Sequence, residues 1–122
     1  MTNKIPNPKT KQKYDLKERT AIFGENIIRL TMNLQKNSIN IPLIGQLVRS
    51  STSVGANYME ADGAESRKDF KHKIGICNKE AKESMHWLHM ISVANPDQTE
   101  LCRRFWKEAH ELNLIFASIL NR

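Results

Sequence analysis

The chain of 122 residues fits one domain with a hydrophobic core, and its composition, 39% hydrophobic and 26% charged, is ordinary for a globular protein. No apolar run approaches the ~20 residues that a bilayer-spanning helix needs, and the first residues lack the apolar block of a signal peptide. These features predict a cytosolic protein, in which Cys77 and Cys102 are reduced thiols.

The formal charge of +6 is concentrated at the start of the chain, because residues 1–19 carry six basic and two acidic side chains. Residues 1–14 form a basic arm rich in Asn, Thr, Lys and Pro, a composition that predicts disorder in isolation. Such arms often contact phosphates, and many serve only solubility. If the arm contacts phosphates, Lys9, Lys11 and Lys13 are candidates for nucleic-acid binding. Residues 15–122 form the predicted folded domain.

Apolar residues in residues 15–122 recur at steps of three and four, which predicts helices with one apolar face each. The first helix is expected from Leu16 to Gln35, with Asp15 and Glu18 as a capping pair. The second is expected to begin near Pro42 and to end at Gly63.

The third predicted helix is capped by Ser66 with Asp69, and Asn95-Pro96 ends it. Asp97 with Glu100 is expected to open the fourth. No segment alternates apolar and polar residues over a useful length, so no strand is predicted. Short connections make sequential helices neighbours, which predicts an all-α, antiparallel up-down-up-down four-helix bundle.

Several apolar residues lie away from the predicted core stripes. A small bundle buries one stripe per helix, so the surplus suggests contacts between subunits, although scattered surface hydrophobes are also normal. The resulting candidates for an oligomer interface are Ile28, Met32, Ile76, Trp87, Met90 and Trp106.

The second predicted helix is intrinsically weak, because its centre, RSSTSVGANY, is rich in Ser, Thr, Gly and Asn. Small residues there would let a neighbouring helix approach closely. Opposite the apolar stripe, a polar row recurs at near-helical spacing. It is either a solvated face or a hydrogen-bonded polar seam, with its charged ends as ion-pair partners for another helix. The row consists of Arg49, Ser53, Asn57 and Glu60.

With this helix and the segments around it, the sequence resembles the family of four-helix bundle proteins named for open reading frames in intervening sequences of bacterial 23S ribosomal RNA genes. The similarity is clear over residues 14–93. It is carried by Tyr14-Asp15-Leu16, Arg19-Thr20, Gln46, Leu47, Arg49, Ser50, Ser53, Val54, Ala56, Asn57, Glu60, Ala61, Ala64, Ser66, Asp69, Phe70, Lys73, Ile76, Lys79, Glu80, Glu83, Trp87 and Leu88.

The resemblance implies a non-enzymatic protomer that assembles into a ring, pentameric in related proteins, so a homopentameric ring is expected. Related accessory proteins of diversity-generating retroelements form basic pentamers that associate with nucleic acid and a reverse transcriptase. This chain is less basic, because residues 20–122 carry 13 basic and 11 acidic side chains.

Motifs for catalysis and cofactor binding are missing from the sequence. It holds no P-loop, dinucleotide fingerprint or nucleophile elbow. Glu83, His86 and His89 provide one Glu-x-x-His motif, whereas a di-iron bundle needs two copies and two further glutamates. No cofactor and no metal are therefore expected, and Cys77 falls on a core stripe, where a thiolate is disfavoured.

The third predicted helix has a basic first half, which makes it the main candidate surface for a polyanion. Two functions stay open: a nucleic-acid accessory protein that contacts the RNA or DNA backbone, and a scaffold that binds a protein partner. The candidate nucleic-acid contacts on this helix are Arg67, Lys68, Lys71, Lys79 and Lys82.

Overall fold

The computed structural model describes residues 15–122, in which four α-helices and one short 3₁₀ turn are the regular elements. No strand occurs within this range, so the all-α prediction is confirmed for it. The predicted arm, residues 1–14, lies outside the described residues. The helices are α1 (Leu16–Met32), α2 (Asn40–Asp62), α3 (Arg67–Ala94) and α4 (Thr99–Leu120), and the 3₁₀ turn is Pro96–Gln98.

The helices pack in chain order. α2 lies between α1 and α3, α4 packs beside α3, and α1 and α4 meet along a smaller contact. Along α1 and α2 the contacts run in opposite order: Gly24 lies beside Thr52, whereas the earlier Thr20 lies beside the later Gly55. All four helices contribute to one hydrophobic core.

That core is built from the predicted apolar stripes. Ser50 and Ser84 lie within it, with their hydroxyl oxygens 2.9 Å apart, so the small residues of α2 allow α3 to approach closely. This packing compensates for the weak helical propensity of α2. The largest fully buried apolar side chains are Phe23, Ile27, Leu30, Leu47, Val54, Ile74, Leu88, Ile91, Leu112 and Phe116.

Two of the predicted caps are confirmed. The Asp15 carboxylate accepts a hydrogen bond from the Glu18 amide at 3.2 Å, and the Ser66 hydroxyl accepts one from the Asp69 amide at 3.0 Å. Each side chain satisfies an amide that has no partner inside the first helical turn. No helix among the described residues is long and apolar enough to cross a membrane.

Three predicted boundaries are displaced by one to three residues. α1 ends at Met32 rather than Gln35, although Leu34 is still buried. α2 begins at Asn40, before Pro42, because the Asn37 side chain accepts hydrogen bonds from the amides of residues 39 and 40.

The start of α4 also differs from the prediction. Asp97 lies in the 3₁₀ turn and does not cap α4, whose N-cap is Gln98 and makes no side-chain cap bond. The turn arises after Asn95, where the chain leaves α3 and proline begins the next element. The Asp-x-x-Glu spacing predicted a cap at Asp97, but the turn moves the N-cap one residue along the chain, to Gln98.

Candidate nucleic-acid interface

The basic side chains of α3 that were predicted to contact nucleic acid share one side of the helix. At about 100° per residue, all five fall within about 120° of its circumference. Arg67, Lys68, Lys79 and Lys82 are exposed, and Lys71 is half-buried. Gly75 lies between the first three basic residues and the last two, and a Cβ placed there would meet no atom within 4 Å. α3 therefore presents an open basic face, defined here by Arg67, Lys68, Lys71, Lys79 and Lys82.

The acidic side chains of α3 point to another side, where α2 packs. Arg49 of α2 lies between two of them: its Nη1 is 3.2 Å from Glu80 Oε1, and its Nη2 contacts Glu83 Oε2. The Trp87 indole N–H also donates to Glu83 at 2.9 Å. One positive charge thus offsets part of the negative charge of Glu80 and Glu83 at the α2–α3 contact, away from the basic face.

A second ion pair joins the same two helices farther along. Lys73 Nζ lies 2.6 Å from Glu60 Oε1, and this hydrogen bond raises the pKa of Lys73. Both charged ends of the predicted polar row therefore contact α3. Asn57 instead donates to the backbone carbonyl of Ser53 within α2, at 2.8 Å. The two ends of the row, Arg49 and Glu60, therefore form ion pairs with α3. Between them the row forms a hydrogen bond within α2.

Three exposed histidines, His72, His86 and His89, extend the side of α3 that carries the basic face. The His86 ring meets the Trp87 ring edge-on, with centroids 4.7 Å apart. Glu83, the carboxylate of the Glu-x-x-His motif, is engaged by Arg49 and Trp87. Within residues 15–122 no group of three or more His, Cys, Asp or Glu side chains is placed to hold a metal ion.

The six oligomer-interface candidates divide into two groups. Ile28 and Met32 are exposed, at 40% and 72%. The other four are half-buried in the protomer, and two of them, Trp87 and Trp106, pack against its own core. The half-buried candidates are Ile76, Trp87, Met90 and Trp106.

Several interhelical contacts are not apparent from the sequence. Asn78 and Asn113 exchange hydrogen bonds between side-chain amide and backbone carbonyl, both 2.8 Å long, which join α3 to α4. Arg19 of α1 forms two 2.8 Å hydrogen bonds with Glu108 of α4. A polar residue within a helix gives no sign of its partner helix, so spacing alone identifies neither pair.

The geometry defines a class of protein. It has four helices, a charged seam between α2 and α3, and an open basic face on α3. The family model for the 23S rRNA-intervening sequence protein matches residues 12–118. The chain therefore belongs to this family, and the match includes the fourth helix, where the sequence resemblance was only general.

A solved structure supports the same assignment. The crystal structure of a protein of unknown function from the S23 ribosomal protein family of Bacteroides thetaiotaomicron is 32% identical to this chain. The alignment covers 88% of this chain and 99% of that one, with a TM-score of 0.78. Among curated proteins no match was found. Neither the family description nor the similar structure indicates catalysis.

Proposed function

We propose that this protein is a non-enzymatic, oligomeric helical protein that binds the sugar-phosphate backbone of RNA or DNA through the basic face of α3. The proposal includes a cytosolic location, where such polymers are accessible. Lys9, Lys11 and Lys13 of the arm are further candidate contacts, outside the described residues.

The separation of charge on α3 carries this proposal. The described residues hold nearly equal numbers of basic and acidic side chains, which by itself does not favour a polyanion. Glu80 and Glu83, however, lie on the α2 side of α3, where Arg49 pairs with both and offsets part of their charge. The basic face stays exposed on the other side, where it creates a positive field along the helix.

The chemistry of the face favours the polymer backbone over the bases. The large aromatic residues of α3, Phe70 and Trp87, are half-buried and pack against the core. The exposed rings on the side of the basic face are the smaller imidazoles of His72, His86 and His89. Base stacking needs exposed aromatic rings, whereas lysine and arginine contact phosphates of any sequence. The interaction is therefore of low sequence specificity and sensitive to salt.

The arrangement of the helices and the assembly are the second part of the proposal: the four helices of a protomer run antiparallel, up-down-up-down, and protomers form a homopentameric ring, the assembly that the family resemblance implies. The reversed order of contacts between α1 and α2 supports the antiparallel arrangement. Exposed apolar side chains support association, because apolar area gains free energy when it leaves water. A ring repeats the basic face of each protomer, so that a modest patch becomes a large field.

Charge reversal tests the binding surface. Lys79→Glu reverses an exposed charge in the basic face, and Lys17→Glu makes the same charge change on α1, which has no contact with α3. Binding of fluorescent RNA and DNA duplexes is measured by anisotropy at low ionic strength. We expect Lys79→Glu to weaken binding several-fold more than Lys17→Glu. Equal losses would show that net charge, and not this face, determines binding.

A protein-interaction scaffold without nucleic-acid binding is the second candidate function. One observation favours it: apolar side chains are exposed where α1 ends, α2 begins and α3 ends, and the hydrogen-bonded pair Asn40–Asn95 joins the last two. If neither RNA nor DNA binds at low ionic strength, this second function replaces the first. The exposed residues are Met32 at 72%, Ile39 at 59%, Ile41 at 57% and Val93 at 66%.

A further inference from the structure

The basic face of α3 covers only part of the length of the helix. Its last basic residue is Lys82, whereas α3 continues to Ala94. On the same side, the remaining length carries His86 and His89, which are both exposed. At about 100° per residue, the two histidines lie within the arc of the basic face. They extend the face from about 23 Å, between Arg67 and Lys82, to about 33 Å at the rise of an α-helix.

The two histidines continue a row that begins with lysines. Lys79, Lys82, His86 and His89 follow one another at steps of three, four and three, which places neighbours in the row one turn apart on one side of a helix. The row is about 15 Å long. One strand of a duplex carries about four phosphates over that length, at about 3.4 Å per phosphate. Two lysines and two histidines therefore match the backbone of one strand in length and in number.

Both imidazoles are available to a ligand. Within residues 15–122, neither ring forms a hydrogen bond or an ion pair. The His86 ring meets the Trp87 ring edge-on, but the Trp87 indole N–H donates to Glu83. A protonated imidazole offers two N–H donors and one positive charge, which suit a phosphate oxygen.

The surroundings of the two histidines carry more basic than acidic charge. On α3 itself, Lys82 lies one turn before His86. Glu83 does as well, but it is engaged by Arg49 of α2. α4 follows α3 after a short turn, so its first turns lie beside this end of α3. Basic side chains outnumber acidic ones there too, so a polyanion is not repelled. The charged residues of the 3₁₀ turn and of the first turns of α4 are Asp97, Glu100, Arg103, Arg104 and Lys107.

Histidine gives this part of the face a response to pH that lysine does not have. Imidazole ordinarily titrates between about pH 5 and pH 8, and a neighbouring anion favours its charged form. We propose that His86 and His89 contact backbone phosphates as imidazolium groups, so that nucleic-acid binding takes up protons from solvent and tightens as pH falls. This inference rests on the proposed function, because it concerns the same face.

Anisotropy of a fluorescent DNA duplex tests the inference in the full chain, at about pH 5.5 and about pH 7.5 and at equal ionic strength. His86→Gln with His89→Gln removes both titrating groups. His86→Arg with His89→Arg makes both charges permanent. His110→Gln is the control, because His110 lies on α4, half-buried, with its ring 5.2 Å from that of Trp106. Far-UV circular dichroism at both pH values verifies that each variant is folded.

We expect the native chain and His110→Gln to bind about ten-fold more tightly at the lower pH, with a salt dependence steeper by about 1 to 2. The glutamine pair should lose most of this gain, and the arginine pair should bind tightly at both pH values. Equal affinity of the native chain at both pH values, or a full gain in the glutamine pair, would overturn the inference and leave the proposed function standing. No binding at either pH would overturn both.

Discussion

Arg19 shows how a single residue joins the most weakly connected pair of helices. Its side chain is 5% exposed and lies where α1 meets α4, with Glu108 at 2.8 Å and Glu111 at 3.1 Å. The hydrogen bond that Arg19 donates to Glu108 raises the pKa of Arg19, against the opposing effect of burial. A buried charge that loses its partner is costly, so each member of this cluster depends on the other.

Replacing Arg19 with methionine should lower the free energy of unfolding by about 3 kcal/mol, because Glu108 then keeps its charge in a mostly buried position. Chemical denaturation monitored by far-UV circular dichroism measures the loss. Arg29→Met is the control: Arg29 pairs with Glu25 at 3.8 Å on the surface, with 54% of its side chain exposed. Its loss should stay below about 1 kcal/mol. Equal losses would contradict the structural role of Arg19.

The two cysteines predict how stability responds to alkali. Burial raises the pKa of Cys77 from 9.0 to about 12 and that of Cys102 from 9.0 to about 11. The folded protein favours the protonated thiols, so this contribution is complete below pH 9.0 and is lost as pH rises towards the folded-state values. The free energy of unfolding should therefore fall between pH 9 and pH 12.

Cys77→Ala isolates the contribution of one thiol. The variant should be less stable near neutral pH because a buried side chain is shortened, yet its stability should fall less steeply above pH 9. Cys102 still titrates in the variant, so part of the slope remains. Urea denaturation at a series of pH values measures it. An unchanged slope would show that Cys77 does not titrate with unfolding.

Among the elements, α2 is the one whose existence depends most on its neighbours. Its apolar periodicity predicted the helix, and its Ser- and Gly-rich centre predicted close packing, both from sequence. Its start was not predictable in the same way, because Asn37 acts from outside the periodic segment. Pro42 is the third residue of the helix and therefore lies in its first turn, as expected.

Gly45 offers a test of this element. It lies in α2, is exposed, and a Cβ there meets nothing within 4 Å. Gly45→Ala should raise the free energy of unfolding by about 0.5–1 kcal/mol, because alanine restricts the unfolded chain and favours the helix. Gly63 is the C-cap and lies outside the helical residues. Gly63→Ala should give a smaller change, and a gain at Gly63 alone would contradict the argument.

The interhelical polar contacts show the limit of sequence reasoning at this scale. Spacing placed Arg49 and Glu60 on one face of a helix but did not identify Glu80, Glu83 and Lys73 as their partners. Partner identity depends on the relative height and rotation of two helices, which a pattern within one helix does not contain. The basic residues of α3, in contrast, needed only the helical period to be placed on one side.

At the scale of the whole molecule, the proposed association of protomers can be tested by measuring the mass of the particle in solution. If the homopentamer forms, light scattering gives five times the 14.1 kDa protomer mass. Met32→Glu, at a position 72% exposed, should lower this mass without loss of helicity, whereas Met32→Leu should retain it. A 14.1 kDa particle at all micromolar concentrations would contradict assembly.

The salt dependence of RNA and DNA binding tests the central claim, that α3 exposes a basic face to a nucleic-acid backbone. The logarithm of the binding constant should fall linearly with the logarithm of salt concentration, since each phosphate contact releases counterions. Lys79→Glu should reduce the steepness of that line by about 1. Binding that does not change with salt, or no binding to either polymer at about 50 mM salt, would contradict the claim.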